Sequence, residues 1–389
     1  MLTHDRPDAG PARARPRTYV VIGCGGFIGS HFLDRILGDR QVQVHGIDVS
    51  SQKIERHLHN PRFDFHATYL DQARGLDLVD KLLPEADALI NLAAICNPSH
   101  YNTCPVNVIY SNFIDVYRLI ELCARHDKWL VHFSTSEVYG RTLSSYVDGE
   151  DYRDARLFEL SEDSTPLVMG PVSRQRWSYA AAKQLLERFI YGLHHERGLP
   201  FTIVRPFNFF GPRMDFIPGR DGDGIPRVLA CFMTALLDDK PMQLVDGGRA
   251  RRTIISIHDA IDALMLMLQR PERAQNQIFN VGSREFEVTI AELARLMRRI
   301  YAEVTGDPAY LRHPIVDVPA SQFYGPGYED CDRRMPNLDK TAARLGWSAK
   351  RSLDDTLRET MAYYHGLYGT SGVGVESSAS PAWETAVRP

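Results

Sequence analysis

The stretch TYVVIGCGGFIGSHFLDRIL, residues 18–37, decides the fold. An apolar run at 19–22 stops at a glycine-rich turn, and an amphipathic segment with helical spacing follows at once. Gly23, Gly26 and Gly29 stand at three-residue spacing. In a strand–turn–helix unit, that spacing allows a tight turn, close approach of backbone to a pyrophosphate, and close packing of helix on strand. Phe27 and Ile28 occupy the first helical turn, whose free amides favour an anion. Glycines also punctuate ordinary loops, so the motif gains meaning only from context. The second apolar run, 42–47, ends at Asp48, 19 residues after Gly29. A carboxylate there accepts both ribose hydroxyls of NAD and repels the extra phosphate of NADP. The competing reading of Asp48 is a solvated strand end.

Further apolar runs at 88–92, 129–133 and 201–204 alternate with longer amphipathic stretches. This is the pattern of an α/β fold, a Rossmann-type doubly wound parallel sheet. A later apolar run, 277–281, is expected to return to the same sheet, which would make the smaller C-terminal α/β lobe interleave with the first. The expected organisation is a disordered extension over 1–17, a dinucleotide-binding domain over 18–205, a second domain over 206–366 and a disordered tail over 367–389. Length fits two lobes and also one. In the second lobe, residues 289–301 read as a helix with Ile290, Leu293, Met297 and Ile300 in one stripe, and Thr289 and Glu292 stand at capping-box spacing.

Composition narrows the function classes. The 389 residues are 44% hydrophobic and 24% charged, as in ordinary globular proteins. A net charge of −4 gives no broad electropositive field and argues against nucleic acid, while leaving room for a local basic pocket. Six cysteines without paired spacing point to a reducing cytoplasm and to no structural metal. No apolar run has the length of a membrane span.

The chemistry points to RWSYAAAKQLLERFIYGL, residues 176–193, where Tyr179 and Lys183 fall on one face of a helix. A free tyrosine titrates near about 10, so action as a base near neutral pH needs a downward shift of about 3 pH units, roughly 4 kcal/mol. Lys183 and a positive nicotinamide ring are the expected sources of that shift. On an arbitrary helix such a pair is a packed ring and a solvated amine. After a dinucleotide-binding unit it acquires a use. FSTSEVYG, residues 133–140, brings Ser134, Thr135, Ser136 and Glu137 to the carboxyl end of a strand, where open α/β sheets bind ligands.

Together with NLAA at 91–94 and RPFNFFGPR at 205–213, these motifs resemble the extended short-chain dehydrogenase/reductases over roughly residues 18–366. GPVSRQRWSYAAAKQ, MDFIPGRDGDGIPRVLACF, LVDGGRARRT and FYGPGYEDCDRRMPN resemble more particularly the UDP-apiose/UDP-xylose synthases and the UDP-glucuronate decarboxylase domain of the bacterial aminoarabinose pathway. The resemblance implies NAD as cofactor, UDP-glucuronate as substrate and a nucleotide-sugar-binding C-terminal lobe. It implies catalytic roles for Tyr179, Lys183, Thr135, Ser136, Glu137 and Arg334, and adds Ala93 and Asn112 to the cofactor contacts. It assigns Tyr101 to the uronic acid, matches Arg176 to an active-site arginine that contacts substrate, and assigns Asn208, Arg227 and Arg252 to the UDP portion and Tyr328 and Asp330 to the sugar pocket. It further implies a homodimer formed through the helix near 110–125 and the helix carrying Tyr179.

Two departures shape the expected activity. Ser136 stands where the apiose-forming enzymes carry a cysteine, although Cys96 is kept, and this moves the reading towards plain decarboxylation giving UDP-4-keto-pentose or UDP-xylose. Tyr69 replaces a common adenine-contacting acid. Apiose/xylose synthesis, sugar 4-epimerisation or 4,6-dehydration, and a non-catalytic NAD-binding regulator are the other readings of the same motifs.

Overall fold

The computed structural model describes residues 15–70, 73–96, 98–146, 154–222, 224–323, 331 and 333–369. Seven parallel strands form its centre: β1 (Arg17–Ile22), β2 (Val42–Asp48), β3 (Phe63–Ala67), β4 (Ala88–Asn91), β5 (Trp129–Phe133), β6 (Phe201–Pro206) and β7 (Gln277–Val281). Their spatial order is β7-β6-β5-β4-β1-β2-β3, so the order reverses beside β1. Helices cover both faces, which explains why β1, β4 and β5 read as unbroken apolar runs. Tyr19, Val21, Ile90 and Val131 pack on one side. Val20, Ile22, Leu89 and Leu130 pack on the other. Edge strand β3 is covered less, and its mixed burial kept it out of the apolar runs picked from sequence.

β7 is hydrogen-bonded to β6 in register Phe279 to Val204, so a strand distant in sequence closes the sheet edge. The segments between them and after β7 build a second apolar cluster that includes Leu229, Met233, Met297 and Met361. The helix Ile290–Thr305 starts at Thr289 with both capping-box bonds made: the Glu292 amide donates to Thr289 Oγ1 at 3.0 Å, and the Thr289 amide to Glu292 Oε2 at 2.8 Å. A four-stranded sheet includes Arg251–Thr253 and Arg333–Pro336 in parallel, with Arg252 opposite Arg334.

Ordered structure extends beyond the limits read from sequence. Arg15 pairs with Asp87 at 2.7 Å and Arg17 already lies in β1, because the sheet offers these residues hydrogen-bonding partners. At the other end the helix Leu353–Tyr368 passes position 367, held by buried Leu357, Met361 and Tyr364. Residues 1–14 and 370–389 lie outside the described residues.

Candidate functional site

The glycine turn is built by exclusion of side chains. Gly23 has a φ of +80°, and a Cβ there would lie 2.7 Å from the Ala93 nitrogen. A Cβ on Gly29, inside helix α1 (Phe27–Ile36), would lie 2.3 Å from the Gly23 carbonyl oxygen. Gly26 caps that helix, and Phe27 and Ile28 form its first turn. The turn sets the first turn of α1 at the carboxyl end of β1, where the strand order reverses. Asp48 sits beside it: the Gly25 amide donates to Oδ2 at 2.8 Å, and Val49 and Ser50 amides donate to Oδ1 at 2.7 and 3.1 Å. Burial raises the Asp48 carboxyl above its ordinary value, against the pull of those amides. Gly25 was not singled out in the sequence, although the doubled glycine in GCGG was the available signal; its Cβ would lie 2.0 Å from the Ser50 oxygen.

Tyr179 and Lys183 lie one turn apart on helix α2 (Ser178–Arg197), and both are buried. Lys183 Nζ donates to the Phe133 carbonyl at 3.2 Å, which ties the helix to the end of β5. Burial lowers its ammonium to about 8. The Tyr179 ring stacks on Tyr101, with centroids 5.0 Å apart and an interplanar angle of 8°. The chain's own groups move the Tyr179 phenol opposite to the direction expected. Burial, then the Cys96 sulfur and the Glu137 carboxylate, hold it well above its ordinary value, while a hydrogen bond with Thr135 and the Arg227 charge oppose them.

Thr135 Oγ1 accepts the Glu137 amide at 3.1 Å and so shapes the short 3-10 turn Ser136–Tyr139. This turn presents Glu137 to Arg176, whose Nη1 and Nη2 donate to Oε2 and Oε1 at 2.6 and 3.0 Å. Arg176 is 3% exposed, and its guanidinium also lies 5.5 Å from the Tyr101 ring centre and 5.3 Å from that of Trp177. Arg334 Nη2 approaches Glu137 Oε1 at 3.9 Å. Two buried guanidinium groups therefore converge on one carboxylate.

A cleft of about 490 Å³ opens beside this group, with Glu137, Arg176, Asn208, Arg227, Arg252 and Arg334 in its lining. Tyr179 and Lys183 are buried outside that lining. Asn208, with φ +38°, donates from Nδ2 to the Thr253 carbonyl at 2.8 Å. The Arg227 amide and Nε donate to Asp215 Oδ2 at 2.9 and 3.2 Å, so an acid that sequence reading passed over fixes this arginine. Arg252 Nη1 donates to the Cys331 carbonyl at 2.8 Å.

Residues 19–282 match the NAD dependent epimerase/dehydratase family. The chain belongs to that family. It is 46% identical over 388 residues to the UDP-D-apiose/UDP-D-xylose synthase of Oryza sativa subsp. japonica, covering 95% of this chain and 96% of that one. It is also 46% identical over 375 residues to UDP-D-apiose/UDP-D-xylose synthase 2 of Arabidopsis thaliana, covering 94% and 95%. Among solved structures, the PbgP3 protein from Burkholderia pseudomallei aligns with a TM-score of 0.77 and 28% identity, covering 91% of this chain and 98% of that chain. The UDP-glucuronic acid 4-epimerase from Bacillus cereus, solved with UDP-glucuronic acid and NAD, shares the fold at a TM-score of 0.71 and 22% identity, covering 90% and 100%.

In this epimerase/dehydratase-family chain, the described predicted residues other than Asn112 and the cleft-lining Asn208, Arg227 and Arg252 fall into two groups. Gly23, Gly26, Gly29, Phe27, Ile28, Asp48 and Ala93 meet at the glycine turn and its border. Tyr101, Thr135, Ser136, Glu137, Arg176, Tyr179, Lys183 and Arg334 gather at the end of β5 and the start of α2. Asn112 lies in a π-helical turn, Tyr110–Ile114, where its Nδ2 donates to the Ile95 and Val108 carbonyls at 3.0 and 2.9 Å. Tyr328 and Asp330 lie outside the described residues. Among the described residues no helix is long and apolar enough to cross a membrane, and no group of three or more His, Cys, Asp or Glu is placed to hold a metal ion.

Proposed function

We propose that this family member uses NAD to convert UDP-glucuronate by oxidation at C4 and loss of the C6 carboxylate, giving UDP-4-keto-pentose, UDP-xylose or both. The carrying observation is the convergence of Arg176 and Arg334 on Glu137 beside Tyr179, a cationic pocket suited to a carboxylated sugar. The glycine turn fits a dinucleotide because a Cβ at Gly23 or Gly29 would fill its floor, and Asp48 sits where the adenosine ribose hydroxyls need an acceptor. When bound, NAD supplies a hydride acceptor and a positive ring beside the phenol.

Tyr179 takes the proton of the sugar 4-hydroxyl, and Lys183 holds positive charge one helical turn away. Thr135, hydrogen-bonded to Tyr179, and Ser136 donate to the oxygen at C4. In the resulting β-keto acid the C5–C6 bond breaks, carbon dioxide departs, and its electron pair enters the ketone as an enolate held by those hydroxyls. Arg334 and Glu137 return a proton to C5. Arg176 and Tyr101 hold the uronate, and Asn208, Arg227 and Arg252 hold the UDP portion. Release before reduction gives UDP-4-keto-pentose, and reduction before release gives UDP-xylose.

A second reading is apiose/xylose synthesis, favoured by 46% identity to such synthases over nearly the whole chain. Ser136 in place of a cysteine speaks for the first reading. Incubation with UDP-glucuronate and NAD, followed by carbon dioxide measurement and product analysis, separates them. UDP-xylose and the keto-pentose without UDP-apiose support decarboxylation alone, apiose supports the second reading, and no carbon dioxide removes both. We also propose a homodimer through the helix at 105–125 and α2, because Val106, Ile109, Tyr110 and Ile114 on the first and Leu185 and Tyr191 on the second are exposed apolar side chains.

A further inference from the structure

One turn beyond Lys183 on α2, Glu187 is buried and accepts from two nitrogens of Arg205, Nε to Oε1 at 3.1 Å and Nη2 to Oε2 at 2.6 Å. The two side chains are only 6% and 4% exposed. Arg205 stands on β6, its Nη1 donates to the Glu162 carbonyl at 3.3 Å, and its guanidinium lies 4.7 Å from the centre of the Tyr139 ring. Tyr139 belongs to the same short turn as Glu137. Burying an ion pair seldom stabilises a fold relative to an apolar pair of equal volume, so a pair in this place needs a reason besides stability.

The reason lies in what surrounds Lys183, which has no exposed surface. Along α2 it has Tyr179 one turn before it and Glu187 one turn after. From β5 it meets the Phe133 carbonyl and buried His132, whose imidazole is kept neutral by burial and by the Lys183 ammonium itself. Asn91 Nδ2 lies 3.2 Å from His132 Nδ1, so that nitrogen serves as the acceptor. From the connection after β4 comes Cys96. Against burial, Cys96 and then Glu187 favour the Lys183 ammonium. Both Glu187 oxygens accept from Arg205, while the Lys183 ammonium donates to the Phe133 carbonyl.

We propose that Glu187 and Arg205 are positioning residues that together set the proton affinity of Lys183, and through it the charge available to Tyr179. The pair balances two opposite fields: Glu187 favours the ammonium, and Arg205 weakens Glu187. The proposal rests on the role assigned above to Lys183, so its test includes a reading that requires no turnover.

The chain has only seven lysines, so protein carrying ¹³C at lysine Cε gives few resonances, and the one absent from Lys183→Arg is that of Lys183. Wild-type Lys183 is expected to titrate near about 8. In Glu187→Gln the midpoint falls by about 1 pH unit or more, because an uncompensated guanidinium remains. Glu187→Gln/Arg205→Gln returns it towards the wild-type value, and Arg205→Lys, which keeps the charge, leaves it within a few tenths of a unit. The alkaline limb of the activity profile should move with the resonance. A Glu187→Gln midpoint equal to that of wild type overturns the proposal, even if activity falls, since a merely structural pair would weaken the enzyme without moving this titration. If the double variant does not fold, Glu187→Gln and Arg205→Lys decide. Resonance shifts as described in a protein that leaves UDP-glucuronate untouched would uphold the pair and remove the substrate reading instead.

Discussion

Glu137→Gln puts the carboxylate-recognition argument at risk. In the wild type, Arg176 is almost fully buried and spends two N–H donors on the two Glu137 oxygens at 2.6 and 3.0 Å. Glutamine keeps one acceptor oxygen and removes the charge, so one charge-assisted bond to Arg176 is lost. A hydrogen bond to a charged group contributes about 1.5–3 kcal/mol, and breaking a buried pair costs about 3–5 kcal/mol. Because Glu137 borders the open cleft and retains some solvent, the expected loss is at the lower end, about 2–3 kcal/mol in urea unfolding. The informative step is to add ligand. A uronate carboxylate would restore the negative charge removed from beside Arg176, so UDP-glucuronate should raise the Tm of Glu137→Gln by more than it raises that of wild type. UDP-glucose, which has no carboxylate, should show no such excess. A variant within about 0.5 kcal/mol of wild type, or one stabilised equally by both sugars, would contradict carboxylate recognition at this pair.

Further outcomes follow from other parts of the molecule. Asp48→Asn removes the charged acceptor beside the glycine turn and should weaken NAD binding by about tenfold or more, measured by calorimetry, with UDP binding unchanged. His31 bonds through Nε2 to the Pro212 carbonyl at 2.8 Å, and burial lowers its imidazole to about 4. The unfolded chain then takes up this proton near pH 6.5 while the folded chain does not, so stability falls as pH drops from about 6.5 towards 4, by about 3 kcal/mol, and His31→Gln should flatten that limb in urea titrations at successive pH values. Val106→Asp with Tyr191→Asp should shift the particle mass in light scattering from two chains to one, and an unchanged mass would set aside the proposed dimer face.

The parts of the molecule that a sequence displays are those in which local pattern and tertiary position agree. The run from Thr18 to Leu37 is legible because strand, turn and helix follow one another without a gap, and the glycines stand where side chains have no room. The Thr289 cap is legible for the same reason, since both partners lie within one turn. Tyr179 and Lys183 share a helical face, so their proximity is local too. The environment of Tyr179 is not local: the stacked Tyr101 comes from before β5 and burial comes from the whole lobe, so the upward pull of the chain's own groups on its phenol could not be read from spacing. The Glu137–Arg176 bond joins residues 39 apart, and Arg205 reaches Glu187 across the strand–helix layer, so neither pair could be found from spacing. Arg252 and Arg334 become neighbours only through strand pairing in the second sheet.

The role of Tyr179 is tested by carbon dioxide release from UDP-glucuronate, measured for wild-type enzyme and Tyr179→Phe together with NAD present. The wild type should release carbon dioxide and the variant should lose about 10²-fold or more of that rate, the range expected when a positioned acid–base group is removed. No release by the wild type, or equal release by the two proteins, would contradict that role.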